Sequence, residues 1–293
     1  MQRRWRLDLS FTLIQQIRLA HALAESSWTV AVRADELAKF AALGDVFGLR
    51  LDTARPGDAD LVPFINVSHP APTTAVGALE RALIFPSAIV ERCRAGWQDP
   101  RPFRFSFAGL VTEARASVIE GWLAARGLDA AGLRQAPGLG AIMQRQIVRW
   151  RGHVRPRQVG DLVLWSSERG RRFPTKAWDE AYYRLLTSSS FVLCPSGDYG
   201  WSYRFFEACL CGAIPVVEVE AEAYAGFRYR TLGETARRGA VIAWSRADAE
   251  HNQQLCRERV TVPRTELDRE LARLASLAAG VNEARASSAR PRS

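Results

Sequence analysis

The most constraining stretch of the chain is Phe191-Val-Leu-Cys-Pro-Ser-Gly-Asp-Tyr-Gly-Trp-Ser-Tyr-Arg-Phe-Phe-Glu-Ala-Cys-Leu-Cys-Gly-Ala-Ile-Pro-Val-Val217. It opens with four apolar residues, Phe191 to Cys194, a short buried strand. Pro195 and Gly197 end that strand and open a loop. Ser202 is a suitable N-cap and Gly212 a suitable residue just past a helix end, so the intervening residues read as a helix. Ala213 to Val219 is the next buried strand. A strand, loop, helix and strand in so short a span is the repeating unit of a parallel α/β sheet.

The same alternation extends through the chain. Trp5 to Phe11 reads as a strand and Thr12 to Glu25 as a helix, with Leu13, Ile17, Ala20 and Leu23 on one face. Trp28 to Val32 is β-rich, Asp35 to Phe47 helical, Leu49 to Thr53 extended, and Asp60 to Val67 a strand entering the loop Ser68-His69-Pro70. The polar, proline-containing stretch Asp99-Pro100-Arg101-Pro102 predicts an interdomain hinge. Beyond it come a strand at Phe103 to Ala108, a turn at Gly109 and a helix at Glu113 to Arg126 stopped by Gly127. A Gly/Pro loop at Leu133 to Gly140 follows, then a strand at Leu162 to Trp165 and a helix at Lys176 to Thr187. Thr265 to Ala279 is amphipathic, with Leu267, Leu271, Leu274 and Leu277 on its apolar side. At 293 residues the chain suits two domains. The expected division is 1–100, 101–264, a closing helix over 265–286 and a disordered tail over 287–293.

Charge and cysteines narrow the function classes. The net charge is +9, almost all of the basic residues being arginine, as in products of GC-rich bacterial genomes. The arginines are scattered, without a long basic run or a nucleic-acid-binding signature, so nucleic acid is set aside. Peripheral contact with an anionic membrane, at the inner face, suits the charge better. Five cysteines at irregular spacing argue against a disulfide framework and for buried thiols in a reducing compartment. Cys209 and Cys211 point to different faces of their helix, and no His pair stands at zinc spacing. Polar residues from Asp8 to His21 break any signal-peptide core, and no apolar run reaches the roughly 20 residues of a membrane span. A cytoplasmic protein is the expectation.

The chemistry concentrates at the helix opened by Ser202. A helix N-terminus offers free N–H groups and a partial positive charge, and receives phosphate there. Arg204 in the first turn adds a planar cation able to grip a phosphate by two hydrogen bonds. Glu207, three residues on, lies on the same face and is suited to the hydroxyls of a ribose. Ser196, Gly197 and Gly200 allow close approach of a ligand. The alternative is an ordinary Arg–Glu helix pair with a serine cap, worth a few tenths of a kcal/mol.

Over about thirty residues this string resembles the hallmark of the exostosin-like glycosyltransferases: Leu-Cys-Pro at a strand end, a Gly-rich loop with Trp201-Ser202, then Arg204-Phe-Phe-Glu-Ala208 and Gly212-Ala-Ile-Pro-Val-Val217. Phe105-Ser-Phe-Ala-Gly109 is similar to the first strand and turn of that family's nucleotide-binding domain, with Arg115 beyond it. The resemblance implies a GT-B fold, an α/β arrangement of two Rossmann-like domains facing across a cleft, with the N-terminal domain short and on the acceptor side. It implies a nucleotide-sugar donor, UDP-linked, bound at Gly109, Arg115, Pro195, Ser196, Gly197, Ser202, Tyr203, Arg204 and Glu207. It implies a glycan or lipid-linked acceptor, and transfer with neither metal nor other cofactor. Retaining GT-B enzymes often carry a second Glu eight residues before the helix Glu. Here that position is Tyr199, beside Asp198, which favours inversion.

Inversion calls for a general base near the acceptor hydroxyl. His69, after a strand end, is the candidate, since imidazole titrates near neutrality. Asp8 and Asp60 are rivals, whereas His21 and His153 read as solvated. Lys176 is a further cation for the diphosphate, and Trp201 can stack on a sugar ring. The competing reading is a catalytically degenerate module that binds nucleotide, glycan or a partner protein. Another α/β enzyme class lacks its motif: there is no Gly-x-Gly-x-x-Gly, Gly-Lys-Ser/Thr loop or Gly-x-Ser-x-Gly elbow.

Overall fold

The structure, a computed structural model, describes residues 3–7, 13–68, 70, 72–129, 156–166, 178–197, 199–237 and 242–288. It is mixed α/β with several sheets, and the chain divides into two compact units. The first unit comprises residues 1–90, 173–178 and 259–293, and the second 91–172 and 179–258. The units divide after Val90 rather than near residue 100, and the closing helix clusters with the first unit.

The first unit holds a parallel sheet of β1 (Arg4–Arg6), β2 (Thr29–Val32) and β3 (Arg50–Thr53), in that order, linked by α1 (Leu13–Ala24) and α2 (Ala34–Phe47). Trp5 and Trp28 stack at 6.0 Å within its core. Arg4 is buried and ties β1 to β3 and the following loop, donating to Asp58 at 2.7 Å and Asp52 at 2.5 Å. The uninterrupted parallel alternation expected here does not continue. Residues 62–64 form a 3-10 turn, and β4 (Ile65–Ser68), β5 (Thr73–Val76) and β6 (Leu79–Arg81) make an antiparallel sheet. These short strands are joined by tight connections, which only antiparallel pairing permits. His21, expected at the surface, is buried between Phe47 and Phe85 at 5.6 and 5.5 Å.

The closing helix runs Arg264–Ser288, so residues 287 and 288, expected in a disordered tail, are helical. Leu267, Leu271 and Leu274 are buried, but Leu277 is exposed, because the buried stripe ends a turn earlier. Asp268 accepts from the N–H and hydroxyl of Ser27, and Glu270 accepts the N–H of Ala78 at 2.6 Å. The closing helix is thereby tied to the loop after α1 and to the β5–β6 turn.

The second unit is a six-stranded sheet whose spatial order is β12 (Arg230–Thr231), β11 (Ile214–Val217), β10 (Ser189–Cys194), β7 (Phe103–Gly109), β9 (Leu162–Ser166) and β8 (Arg157–Val159). All pairs are parallel except β8 with β9. Between them run α3 (Ser87–Ala95, spanning the unit boundary), α4 (Glu113–Ala125), α5 (Glu180–Thr187), α6 (Tyr203–Leu210), α7 (Leu232–Ala236) and α8 (Arg246–Arg259). One face is packed by Phe105, Phe107, Leu162, Leu164, Phe191, Leu193, Ile214 and Val216 against Ile119, Trp122 and Leu123 of α4. Central strands are apolar on successive residues because both faces are covered, as parallel sheets require.

The hinge expected at Asp99 to Pro102 lies inside this unit. Arg101 donates to the carbonyls of Thr187 at 2.9 Å, Ser189 at 2.7 Å and Cys211 at 3.0 Å. Its guanidinium also faces the Trp97 and Trp244 rings at 5.6 and 4.9 Å. Burial lowers its pKa to about 10. A proline-rich polar string reads as linker, but this arginine caps the ends of α5 and α6.

Candidate nucleotide site

The second unit's topology marks one place for a ligand. From β7 the chain returns to the sheet at β9 on one side, and then at β10 on the other. The order therefore reverses between β7 and β10, and ligands of open α/β sheets bind beyond the carboxyl ends of such strands. Gly109 ends β7, and Pro195, Ser196 and Gly197 follow β10. The sequence-expected residues of both strand ends thus converge on this switch point.

Two arginines cross it in opposite directions. Arg204, on α6 after β10, donates Nε–H to the Ala108 carbonyl of β7 at 2.7 Å. Arg115, on α4 after β7, donates Nε–H to the Ser196 carbonyl at 3.2 Å and Nη1–H to that of Leu110 at 3.1 Å. Each guanidinium lies against a glycine. A Cβ on Gly109, whose φ is +150°, would fall 2.1 Å from Arg204 Nη2, and one on Gly197 would fall 2.4 Å from Arg115 Nη2. A side chain at either position would have to displace the guanidinium above it. Arg204 is 8% exposed and its Cζ sits 4.4 Å from the Phe107 ring centre. Its Nη1 is buried with no hydrogen-bond partner. A buried, permanently charged donor left unsatisfied costs free energy, and an anion would supply what it lacks.

The α6 terminus is built beside it. Ser202 takes the extended N-cap conformation, φ −132° and ψ 132°, without a side-chain capping bond. Its N–H donates to Tyr224 Oη at 2.6 Å. The Ser196 N–H donates to Glu218 at 3.0 Å, holding the loop after β10 to the end of β11. Tyr203 opens the helix half-exposed. Gly212, at φ +70°, ends the turn after α6 as expected.

Glu207 sits deeper. It is 3% exposed, and both carboxylate oxygens accept phenol hydrogens from α5, Oε2 from Tyr182 and Oε1 from Tyr183 at 3.2 Å. Tyr182 in turn lies 6.3 Å from Trp165 at the end of β9. Sequence reasoning placed Glu207 on the ribose and missed these two tyrosines. The signal was the aromatic pair on a helix with its own cap, Asp179, whose side chain accepts the Tyr182 N–H.

The remaining candidates divide. Asp60 accepts the Val62 N–H at 3.0 Å and pairs with Arg6 at 3.7 Å. Asp8, His69, His153, Lys176 and Asp198 lie outside the described residues. Trp201 is half-buried and Tyr199 exposed in the loop before α6. All five cysteines are buried and free, and burial pushes the Cys194 thiol up to about 12. Burial, with Cys211 as a neighbour, also raises the Cys93 thiol, and burial beside Cys256 raises that of Cys209. Among the described residues no group of three or more His, Cys, Asp or Glu is placed to hold a metal ion, and no helix is long and apolar enough to cross a membrane.

Residues 161–231 match the family model described as the RXYLT1 C-terminal domain. The match spans β9 to β12 and includes Ser202, Arg204 and Glu207, whereas Gly109 and Arg115 precede it. The exostosin-like character of this segment is thus carried by a family model as well as by its motif. No curated protein matches the chain. Among solved structures it is similar to a crystal structure of Anabaena HepE in complex with UDP and glucose. The identity is 14%, the match covers 93% of this chain and 71% of that one, and the TM-score is 0.33. A likeness at that score fixes no shared arrangement.

Proposed function

We propose that this chain, exostosin-like over residues 161–231, is a glycosyltransferase of the GT-B type that takes its sugar from a nucleoside diphosphate donor, UDP-linked, and passes it to a glycan or lipid-linked acceptor. The observation that carries the reading is Arg204 Nη1, a buried cationic donor without a partner at the switch point of a parallel sheet. The donor diphosphate lies against Arg204, Arg115 and the first turn of α6, with Gly109 and Gly197 admitting it. Two fixed guanidiniums offset the negative charge that develops on the departing diphosphate, so the residues present suffice without a metal. Tyr199 in place of a second glutamate supports inversion, with His69 as the base. The HepE likeness, to a protein crystallised with UDP and glucose, agrees with this donor class but adds no weight at its score.

Calorimetric titration with a panel of nucleoside diphosphates and their sugars tests this. UDP and a UDP-sugar should bind, and Arg204→Ala should weaken that binding by about 10–100-fold. A protein that binds no nucleoside diphosphate refutes the proposal. Binding with neither sugar transfer nor donor hydrolysis selects the degenerate module instead.

A further inference from the structure

The first turn of α6 is held by a residue outside the motif. Tyr224 belongs to the 3-10 turn Glu222–Tyr224 that follows β11, and it is 2% exposed. Its ring lies face to face on Phe205, with centroids 3.8 Å apart and planes at 13°. Phe206 and Tyr229 flank it at 6.2 and 6.1 Å. These three aromatic contacts fix where the phenol oxygen stands, and what that oxygen receives is the Ser202 N–H at 2.6 Å. The Ser202 hydroxyl does not cap the helix. An acceptor for the N-cap N–H, which a capping box takes from its N3 side chain, is thus supplied here from 22 residues downstream, N3 being the apolar Phe205. Two residues beyond Ser202 stands Arg204, with its unsatisfied Nη1.

We infer that Tyr224 is a positioning residue of this anion site: its hydroxyl fixes the first turn of α6, and with it Ser202 and Arg204, in the orientation that receives phosphoryl groups. Without the phenol oxygen, the Ser202 N–H must find another acceptor, and the loop end of α6 gains freedom that bound phosphate must then remove. The cost falls on anion affinity, because preorganised donors bind with less ordering. The stacked ring keeps the helix in place regardless, so affinity and stability separate. The inference rests on the nucleotide reading above.

Tyr224→Phe keeps the ring and deletes only the oxygen. Titration with UDP and with inorganic pyrophosphate should show both affinities falling by up to about tenfold, the scale of the one neutral hydrogen bond removed. The affinity loss should appear with pyrophosphate as strongly as with UDP, because the residue acts on the phosphate end. A merely structural role would lower the melting temperature and leave both affinities unmoved, and that result overturns the inference alone. Wild-type protein that binds neither probe overturns the nucleotide reading and this inference together. A second measurement needs no variant: hydrogen exchange in the peptide carrying Ser202 and Arg204 should slow when pyrophosphate or UDP is added to the intact chain, and an unchanged rate counts against the inference.

Discussion

Arg204 reaches from the helix after β10 to the carbonyl oxygen of Ala108 on β7, at 2.7 Å, and so closes the switch point from one side. Arg115 makes the reverse crossing, from the helix after β7 to Ser196 after β10. Both Nε atoms are consumed by backbone carbonyls, which turns the terminal nitrogens toward the strand ends. Lysine cannot hold a carbonyl and a phosphate in one plane. Arg204→Lys should therefore behave like Arg204→Ala, each weakening UDP by about 10–100-fold, the worth of charge-assisted hydrogen bonds. Arg115→Ala should cost less, since the Ser196 and Leu110 carbonyls already satisfy two of its donors. Isothermal titration with UDP measures all three, and full affinity in Arg204→Lys would contradict the fork geometry.

Gly109 offers a test that leaves the cations intact. Its φ of +150° and the 2.1 Å approach of Arg204 Nη2 to a built Cβ mean that alanine must both strain the backbone and push the guanidinium aside. The backbone penalty is on the order of 1–3 kcal/mol. Gly109→Ala should lose UDP affinity together with a few degrees of melting temperature. Gly197→Ala meets only the flexible end of Arg115, so it should weaken UDP without a matching loss of stability. Thermal melts run beside titrations separate the two, and equal behaviour of the two variants would contradict this assignment.

Acid should loosen the first unit through its closing helix. The hydrogen bond from Arg273 holds the Glu270 carboxyl below its ordinary 4.5, against an opposing effect of burial, with the Ala78 N–H assisting. A carboxylate depressed in the folded state contributes stability above its unfolded value, and that contribution disappears as pH falls through the folded value. The melting temperature should therefore drop as pH falls below about 4.5, and Glu270→Gln should flatten that drop while lowering the melting temperature at neutral pH. Melts between about pH 3 and 7 check the sign, and an unaltered pH profile in the variant would show that other carboxylates govern it.

Local patterns were legible and long-range partners were not. The α6 helix with its Ser202 cap and Gly212 stop, and the strands on either side, follow from residues adjacent in sequence. Gly109 and the arginines were legible as types, and the switch point brings them together. The tight β4 to β6 meander was missed because its strands are three or four residues long, too short for periodicity to show. Arg101 was misread because its three carbonyl acceptors lie 86 to 110 residues downstream, and composition carries no trace of them. Tyr224 and the α5 tyrosines were missed for the same reason. A phenol's partner is decided by packing, which no local spacing encodes.

Glu207 is where the motif and the packing differ most. Its position suits a ribose, yet both oxygens accept phenol hydrogens from Tyr182 and Tyr183 in a buried setting. If those bonds are its main role, Glu207→Ala removes the carboxylate to which both buried phenols donate and should destabilise the second unit by about 2–4 kcal/mol, the scale of breaking a buried polar network. Glu207→Gln keeps an acceptor for one phenol and should cost roughly half as much. Affinity separates this from ribose contact. A ribose ligand would make Glu207→Gln lose UDP while keeping pyrophosphate, because only UDP carries the sugar. A carboxylate that orients α5 should leave the ratio of the two affinities unchanged. Denaturant melts of both variants, read beside paired titrations, decide which role the side chain has: a stable Glu207→Ala with a selective loss of UDP would assign it to the ribose.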